Sequence, residues 1–202
     1  MRADAIVFGI AGSLFGLIIG WVLGSQQAAK SGPIAAPAAQ SAPAQQASAQ
    51  PQPAPIDPAR VAALQDVAAK DPKNAQSRVE LGNLFFDAEQ YGQSITWYEQ
   101  AFAIDPRDAN VSTDLGVAYY YTNQPDKALA QFDRSLAIDP KHIKTLLNVG
   151  IVRAFGKQDL AGAGKAWQQV VDLAPDSPEG MAAKKGLEGI KSAAHPAGGA
   201  PK

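Results

Sequence analysis

The chain has 202 residues, of which 46% are hydrophobic and 18% are charged, and its formal net charge is −1. That length allows one ordinary domain with additional segments, and the charge balance argues against a dedicated nucleic-acid-binding protein, which would carry a basic excess. The sequence has no cysteine, so disulfides, thiolate metal sites and cysteine nucleophiles are excluded. With only two histidines, we predict neither a metal site nor a bound cofactor.

The first element in chain order is an uncharged apolar run, residues 5–24, which follows a short head of residues 1–4. As an α-helix, this run would be about 30 Å long, which is the thickness of the hydrocarbon core of a bilayer. We therefore predict a single transmembrane helix over residues 5–24. The alternatives are a buried helix of a globular domain and a cleavable signal peptide, whose apolar core is normally only about 7–15 residues long.

Glycines recur at every fourth residue along this apolar run. They are Gly12, Gly16, Gly20 and Gly24. On a helix they form one stripe without side chains, which lets the backbone of a second helix approach closely in lipid. We predict a helix–helix contact, and with it a homo-oligomer, through this stripe. The alternative is that the stripe reflects only the high frequency of glycine in transmembrane helices.

Residues 25–56 are rich in Ala, Pro, Gln and Ser, and Lys30 is their only charged residue. Six prolines interrupt any helix, and too few apolar side chains remain to form a core. We predict a disordered linker with partial polyproline character. The tail, residues 192–202, is predicted to be disordered as well.

Four prolines recur after the linker at intervals of 34, 34 and 35 residues. They are Pro72, Pro106, Pro140 and Pro175. Aligning the chain on them also aligns an aliphatic–glycine pair, a first aromatic position and a second aromatic position. These positions are Leu81-Gly82, Leu115-Gly116 and Val149-Gly150; Phe85 and Tyr119; and Tyr98, Phe132 and Trp167. Apolar spacings of three and four residues in each block predict helices, and a fixed period of this size predicts a repeat architecture.

This arrangement resembles the tetratricopeptide repeat (TPR) family, whose helical hairpins of 34 residues carry a Leu-Gly pair, two aromatic positions and a closing proline. The resemblance covers about residues 75–174 and implies an all-α solenoid. The implied segments are a leading helix at 57–74, TPR 1 at 75–108, TPR 2 at 109–142, TPR 3 at 143–176 and a closing helix at 177–191. The third repeat departs from the pattern, because it has Arg153 at the first aromatic position and one extra residue, which we place near residues 156–160.

Capping signals support the two end helices. Asp57 precedes Pro58, and Ser177 precedes Pro178; Asp and Ser are favoured N-caps, and Pro suits the first helical position. Each aligned glycine lets the first helix of a pair approach the second closely. We therefore expect one leading helix, three helix pairs and one closing helix, without a strand.

Charged residues concentrate in the turns between helices rather than in one converging group. Asp87 and Glu89 follow a first helix, and Asp139, Lys141 and His142 lie between two repeats, where such residues cap and solvate turns. His142 is accordingly expected at the surface. Because the sequence contains no phosphate-binding loop, nucleophile motif or convergent acid–base group, we predict that the protein is not an enzyme.

In the TPR family the first helix of each pair lines a concave groove, and the resemblance implies which residues face it. The positions carried over are Gln76, Val79, Asn83, Phe86, Asp87, Asn110, Thr113, Val117, Tyr120, Tyr121, Lys144, Leu147, Ile151, Ala154 and Phe155. The predicted protein-binding residues among them are Asn83, Phe86, Val117, Tyr120, Tyr121, Lys144, Leu147, Ile151 and Phe155. So many apolar and aromatic side chains on one wall indicate a surface that a peptide or a partner helix covers. The alternative is that several are core residues packed on the neighbouring helix.

One TPR subfamily grips the C-terminal carboxylates of chaperones with basic and amide side chains at set positions. Asn83 and Lys144 match that carboxylate clamp. Val79, Asp114 and Asn148 stand where the clamp requires Lys, Asn and Arg. The clamp is therefore incomplete, and binding of chaperone tails is not expected.

Charge is unevenly distributed along the repeats. Residues 78–139 carry ten acidic and four basic side chains, whereas residues 141–191 carry eight basic and five acidic ones. This asymmetry either orients a partner or is an ordinary solvated surface.

The whole pattern is typical of a membrane-anchored TPR scaffold of a bacterial type, which binds a protein segment in its groove and takes part in assembling an envelope complex. We expect a single-pass protein of the inner (cytoplasmic) membrane with its TPR domain in the periplasm. The alternatives are the TPR subunit of cytochrome c maturation, which holds apocytochrome, and an anchored receptor that faces the cytoplasm.

Overall fold

The computed structural model describes residues 53–194 of the chain. The predicted transmembrane helix, its glycine stripe, the linker up to residue 52 and the tail from residue 195 lie outside the described residues. Within residues 53–194 the chain forms eight α-helices and no strand, which confirms the predicted all-α solenoid. None of the helices in this range is long and apolar enough to cross a membrane.

Short turns connect the successive helices. Their bounds are α1 Pro58–Lys70, α2 Ala75–Asp87, α3 Tyr91–Ile104, α4 Ala109–Tyr121, α5 Pro125–Ile138, α6 Ile143–Ile151, α7 Leu160–Leu173 and α8 Pro178–Ala194. A π-helical segment, Val152–Gly156, continues α6. Helices α2 and α3, α4 and α5, and α6 and α7 pack as three pairs, while α1 packs on α2 and α8 packs on α7.

The predicted caps form at both ends of the solenoid. The Asp57 carboxylate accepts a hydrogen bond from the Ala59 N–H at 2.9 Å, and the Ser177 hydroxyl oxygen accepts one from the Gly180 N–H at 2.9 Å. Before α1, the Ala54 N–H donates to the carbonyl of Asp87, the last residue of α2, at 3.1 Å. At the other end, α8 continues to Ala194, three residues beyond the closing segment expected from the sequence.

The aligned glycines lie where the two helices of each pair are closest. A Cβ atom on Gly82 would overlap the ring of Tyr98 on the facing helix. Gly116 and Gly150 meet the rings of Phe132 and Trp167 in the same way. A side chain at any of the three positions would separate the helices, because the facing ring is itself buried. This contact explains why glycine and an aromatic residue recur together with the repeat.

The extra residue of the third repeat is taken up by the π-helical segment and not by the following turn. Each turn within a pair has one residue in the left-handed region: Glu89, Asn123 and Gln158, with φ between 55° and 58°. The first two lie seven residues after the aligned glycine, whereas Gln158 lies eight residues after Gly150. A π-helix has one more residue per hydrogen-bonded turn than an α-helix. The insertion therefore lies in Val152–Gly156, slightly earlier than the expected residues 156–160.

The junction between TPR 1 and TPR 2 is packed by apolar side chains. Tyr98 of α3 and Leu115 and Ala118 of α4 form one buried cluster. A side-chain hydrogen bond across this junction, from the Tyr119 hydroxyl to the Glu99 carboxylate, is exposed. Burial of apolar area therefore holds these two repeats together.

The junction between TPR 2 and TPR 3 contains a buried hydroxyl cluster, formed by Thr113, Ser135 and Thr145. Thr113 Oγ1 lies 2.6 Å from Thr145 Oγ1 and 3.0 Å from Ser135 Oγ, and Ser135 Oγ lies 2.8 Å from Thr145 Oγ1. The hydroxyls of Thr113 and Ser135 also donate to the carbonyl of Ala109, at 2.7 and 2.9 Å. All three side chains are fully buried, so Thr113 does not face the groove as the family pattern implied.

His142 is half-buried at the edge of the hydroxyl cluster, rather than free at the surface as expected. Its Nδ1 lies 2.6 Å from Thr145 Oγ1, and its Nε2 lies 3.2 Å from Asn110 Oδ1. The side chain therefore bridges α4 and α6 instead of capping α6, which has no side-chain N-cap. Sequence position alone suggested a solvated turn because the bonding partners lie up to 32 residues away.

Candidate protein-binding groove

The first helices α2, α4 and α6 carry the predicted groove residues in the same register. Asn83, Val117 and Ile151 are spaced by 34 residues and occupy equivalent positions. Side-chain contacts connect each first helix to the next one. The ring of Phe86 on α2 contacts the ring of Tyr121 on α4, and Lys144 on α6 faces Asp114 on α4. The three helices therefore present adjacent stripes of side chains, which we call the groove.

One end of the groove is an aromatic cluster formed by Phe86, Tyr91, Tyr120 and Tyr121. The rings of Tyr91 and Tyr121 stack, with centroids 4.6 Å apart and an angle of 15° between their planes. Phe86 packs edge-on against both, at 5.2 Å from Tyr91 and 5.5 Å from Tyr121. All four side chains are half-buried, and burial raises the pKa of the Tyr120 and Tyr121 hydroxyls, so these phenols remain neutral at physiological pH.

Tyr91 is the member of the aromatic cluster that sequence reasoning missed. The family pattern assigns the groove to first helices, and Tyr91 is the first residue of α3, a second helix. The turn between α2 and α3 returns the chain to the side of Phe86, so the two rings meet. The short spacing between Phe86 and Tyr91 across a predicted turn was the available signal.

The apolar residues in the middle of the groove also belong to the core. Val117 packs against the buried cluster that contains Phe132, and Leu147 and Ile151 pack against the cluster that contains Trp167. All three remain half-buried, so part of each side chain is still accessible. These residues therefore serve the fold and the groove surface together.

The two residues carried over at the end of the third stripe differ in exposure. Ala154 is buried, whereas Phe155 is 40% exposed and is one of the few large apolar side chains on the surface of the described domain. Both lie in the π-helical segment. Ala154 therefore belongs to the core, and Phe155 is the accessible side chain at this end of the stripe.

The polar end of the groove is formed by Asp114 and Lys144. Lys144 Nζ lies 3.9 Å from Asp114 Oδ1, and the two side chains are 57% and 29% exposed, respectively. Burial raises the pKa of the Asp114 carboxyl above its ordinary value of 3.8; the neighbouring Asp108 acts in the same direction, while Lys144 and His142 oppose it. The Asp114 carboxylate is therefore partly removed from water, and Lys144 is a distant cationic partner for it.

The carboxylate clamp is incomplete in the structure as well as in the sequence. The Asn83 amide oxygen accepts a hydrogen bond from the Tyr98 hydroxyl at 2.6 Å, and Lys144 faces Asp114. A carboxylate ligand placed between them would meet the negative charge of Asp114. The groove can bury apolar or aromatic side chains at one end and a polar or charged group at the other.

The described residues contain no group of three or more His, Asp or Glu side chains that could hold a metal ion.

The profile of the family described as TPR repeat matches residues 82–123, and the profile described as tetratricopeptide repeat matches residues 109–142. The chain carries tetratricopeptide repeats. No curated protein sequence matches it.

Solved structures of TPR domains share this fold. The first TPR of Spaghetti (RPAP3), bound to the HSP90 peptide SRMEEVD, is 25% identical with a TM-score of 0.56, over 61% of this chain and 98% of that one. The Sgt2 TPR domain from Aspergillus fumigatus is 26% identical with a TM-score of 0.55, over 63% and 85%. The Yersinia enterocolitica type III secretion chaperone SycD, in complex with a peptide of the translocator YopD, is 18% identical with a TM-score of 0.55, over 59% and 93%. The last similarity is one of fold alone.

Proposed function

We propose that this protein is a membrane-anchored TPR adaptor whose groove holds a segment of a partner protein during assembly of an envelope complex. The observation that carries the binding role is the groove itself. The aromatic cluster, to which α3 adds Tyr91, and the Asp114–Lys144 pair lie at two places along its adjacent helices. Similar TPR domains have been solved with peptides bound. TPR domains are protein-interaction scaffolds and are typically non-enzymatic, which supports a binding role.

The aromatic cluster suits the binding of a protein segment. Tyrosine combines a large apolar ring with a polar tip, and it is enriched among the residues that contribute most to protein interfaces. The mutual packing of Tyr91, Tyr121 and Phe86 fixes their rings before a ligand arrives. A partner therefore loses its own conformational entropy on binding, while the groove loses little.

Site-specific photo-crosslinking in cells tests the groove directly. A photoreactive phenylalanine replaces Tyr121 in one variant and Gln100, an exposed residue of α3, in a control variant. We expect the Tyr121 position to capture one or a few partners through a defined segment, and the Gln100 position not to capture them. Capture of the same partners from both positions, or only from Gln100, would contradict binding in the groove.

The anchor and its topology form the second half of the proposal. Residues 5–24 would span the membrane, and residues 25–56 would tether the TPR domain to it. In this arrangement the TPR domain lies on the outer side of the membrane. Protease added to intact spheroplasts should then digest residues 57–191. Protection until lysis would instead support the receptor that faces the cytoplasm.

We also propose that the glycine stripe joins copies of the chain in the membrane. The variant Gly16→Leu/Gly20→Leu blocks close backbone approach and keeps the segment apolar, so insertion should persist. A two-hybrid assay for membrane helices should lose its signal in this variant. A wild type without signal, or a variant with an unchanged signal, would leave the stripe without this role.

A further inference from the structure

Asp114 is an unusual member of the groove because it is partly removed from water and weakly partnered. No hydrogen bond among the described residues ends on its carboxylate, and its only ion pair, with Lys144, is 3.9 Å long. Two other ion pairs of the domain are much shorter, at 2.6 Å for Lys157–Asp126 and 2.8 Å for Arg153–Asp159. A half-buried carboxylate normally accepts good hydrogen bonds, since its desolvation is otherwise uncompensated.

The surroundings of Asp114 favour a positive ligand. Residues 78–139, which include all of α4, carry ten acidic and four basic side chains. Asp108, whose carboxylate caps the start of α4, raises the pKa of Asp114 through its negative charge. Such a field attracts cationic segments and repels acidic ones.

Asp114 and Tyr121, a member of the aromatic cluster, lie on one face of α4 at a defined separation. Asp114, Val117 and Tyr121 follow the three- and four-residue spacing of a helix face. Tyr121 lies seven positions after Asp114, which corresponds to about 10 Å along the helix axis. That distance matches about three residues of an extended segment or two turns of a helix.

We propose that the groove selects a cationic protein segment, an inference that rests on the proposed function. A Lys or Arg side chain of the segment donates to the Asp114 carboxylate, and an apolar or aromatic side chain about 10 Å away packs on the aromatic cluster. Lys144 then acts as a weak internal competitor for the same carboxylate. The ligand chemistry is the opposite of that of a carboxylate clamp at this end of the groove.

Selection from a random dodecapeptide phage library tests this inference on the full-length chain in mild detergent. Peptides selected by the wild type should carry Lys or Arg at a fixed spacing from an aromatic or apolar residue. Selection on Asp114→Asn should lose the basic preference and keep the aromatic one, and Asp114→Arg should favour Asp or Glu instead. Asp133→Asn, which alters an exposed carboxylate of α5, should select the same peptides as the wild type.

Fluorescence anisotropy with one selected peptide gives the sharper measurement. Replacing its basic residue by Gln should weaken binding about tenfold in the wild type and have no effect in Asp114→Asn, as expected for a directly coupled pair. Lys144→Gln removes the competitor and should tighten binding. A merely structural role of Asp114 would weaken all peptides equally.

The outcomes separate this inference from the proposed function. Peptides that lack a basic preference but lose affinity in Tyr121→Ala would overturn the cationic ligand and leave groove binding intact. Weaker binding in Lys144→Gln would also overturn it, because Lys144 would then contact the ligand itself. Recovery of no peptide would count against both proposals.

Discussion

The junction between TPR 1 and TPR 2 and the junction between TPR 2 and TPR 3 join the same kind of helix pair with different chemistry. Tyr98, Leu115 and Ala118 pack the first junction through apolar contacts. The second adds the buried hydroxyl cluster of Thr113 and its two partners to its apolar packing. Apolar packing tolerates small shifts, whereas hydrogen bonds are directional and lock one arrangement. The second junction should therefore be the more rigid of the two.

We expect the largest loss of stability from a substitution inside a helix pair. This loss is the reference with which substitutions at the two junctions are compared. Phe132→Ala removes a fully buried ring that fills the space over Gly116. We expect the free energy of unfolding to fall by about 3–5 kcal/mol, from lost burial and the cavity left behind. Urea denaturation monitored by circular dichroism measures it. A loss below that of the junction variants would show that stability resides mainly between repeats.

Thr145→Val breaks the hydroxyl cluster without changing the shape of the side chain. It removes the nearest partner of His142 Nδ1 and one of the partners of each of two buried hydroxyls, so we expect a loss of about 1–3 kcal/mol.

The matched control for Thr145→Val is Ser94→Ala. Among the described residues, the Ser94 hydroxyl is buried without a partner, and alanine occupies the aligned positions 128 and 163. Ser94→Ala should be neutral or slightly stabilising. Equal destabilisation by both substitutions would show that the hydroxyl cluster adds nothing specific to the second junction.

Tyr91→Leu tests the aromatic contact that crosses the first junction. The substitution removes the stacking of Tyr91 on Tyr121 but keeps an apolar side chain. We expect a loss of about 0.5–1.5 kcal/mol in stability and a clear loss of crosslinking at the groove. Thermal unfolding in parallel with the crosslinking assay distinguishes the two effects. A stability loss larger than that of Thr145→Val would reverse the expected order of the junctions.

Whether a contact could be predicted from the sequence depends on whether it lies within one repeat or joins two repeats. Gly82 and Tyr98 are 16 residues apart within one repeat. The same glycine–aromatic pair recurs in the other repeats, so the sequence pattern predicts the contact. Thr113 and Thr145 are 32 residues apart in different repeats and occur once, so no recurring pattern indicated that they would meet. The groove was predicted on its first helices only, and Tyr91 was therefore missed. Asp114 was recognised as a departure from the clamp, but its weak pairing depends on the position of Lys144 in the next repeat, which no sequence pattern indicates.

The smallest expected effect concerns the ionic contact at the edge of the second junction. Burial raises the pKa of Asp114 in the folded state, so the folded protein holds its proton more tightly than the unfolded chain does. The contribution of this group is most favourable below its ordinary pKa of 3.8 and is lost as the pH rises through the raised value. Asp114→Asn should therefore raise Tm at neutral pH by about 1–2 °C. The difference should vanish in acid, and calorimetry across pH measures both.

The π-helical segment Val152–Gly156 shows how a periodic molecule accepts an irregular length. In a solenoid, one inserted residue would rotate everything after it out of phase with everything before it. Here the added residue is confined to a single turn, and Trp167 still meets Gly150 as Phe132 meets Gly116. The segment thus restores the helical phase within one turn, so the second helix of the third repeat packs as in the other two. A repeat array of this kind tolerates a change in repeat length when a single helical turn absorbs it and the contacts between helices stay in place.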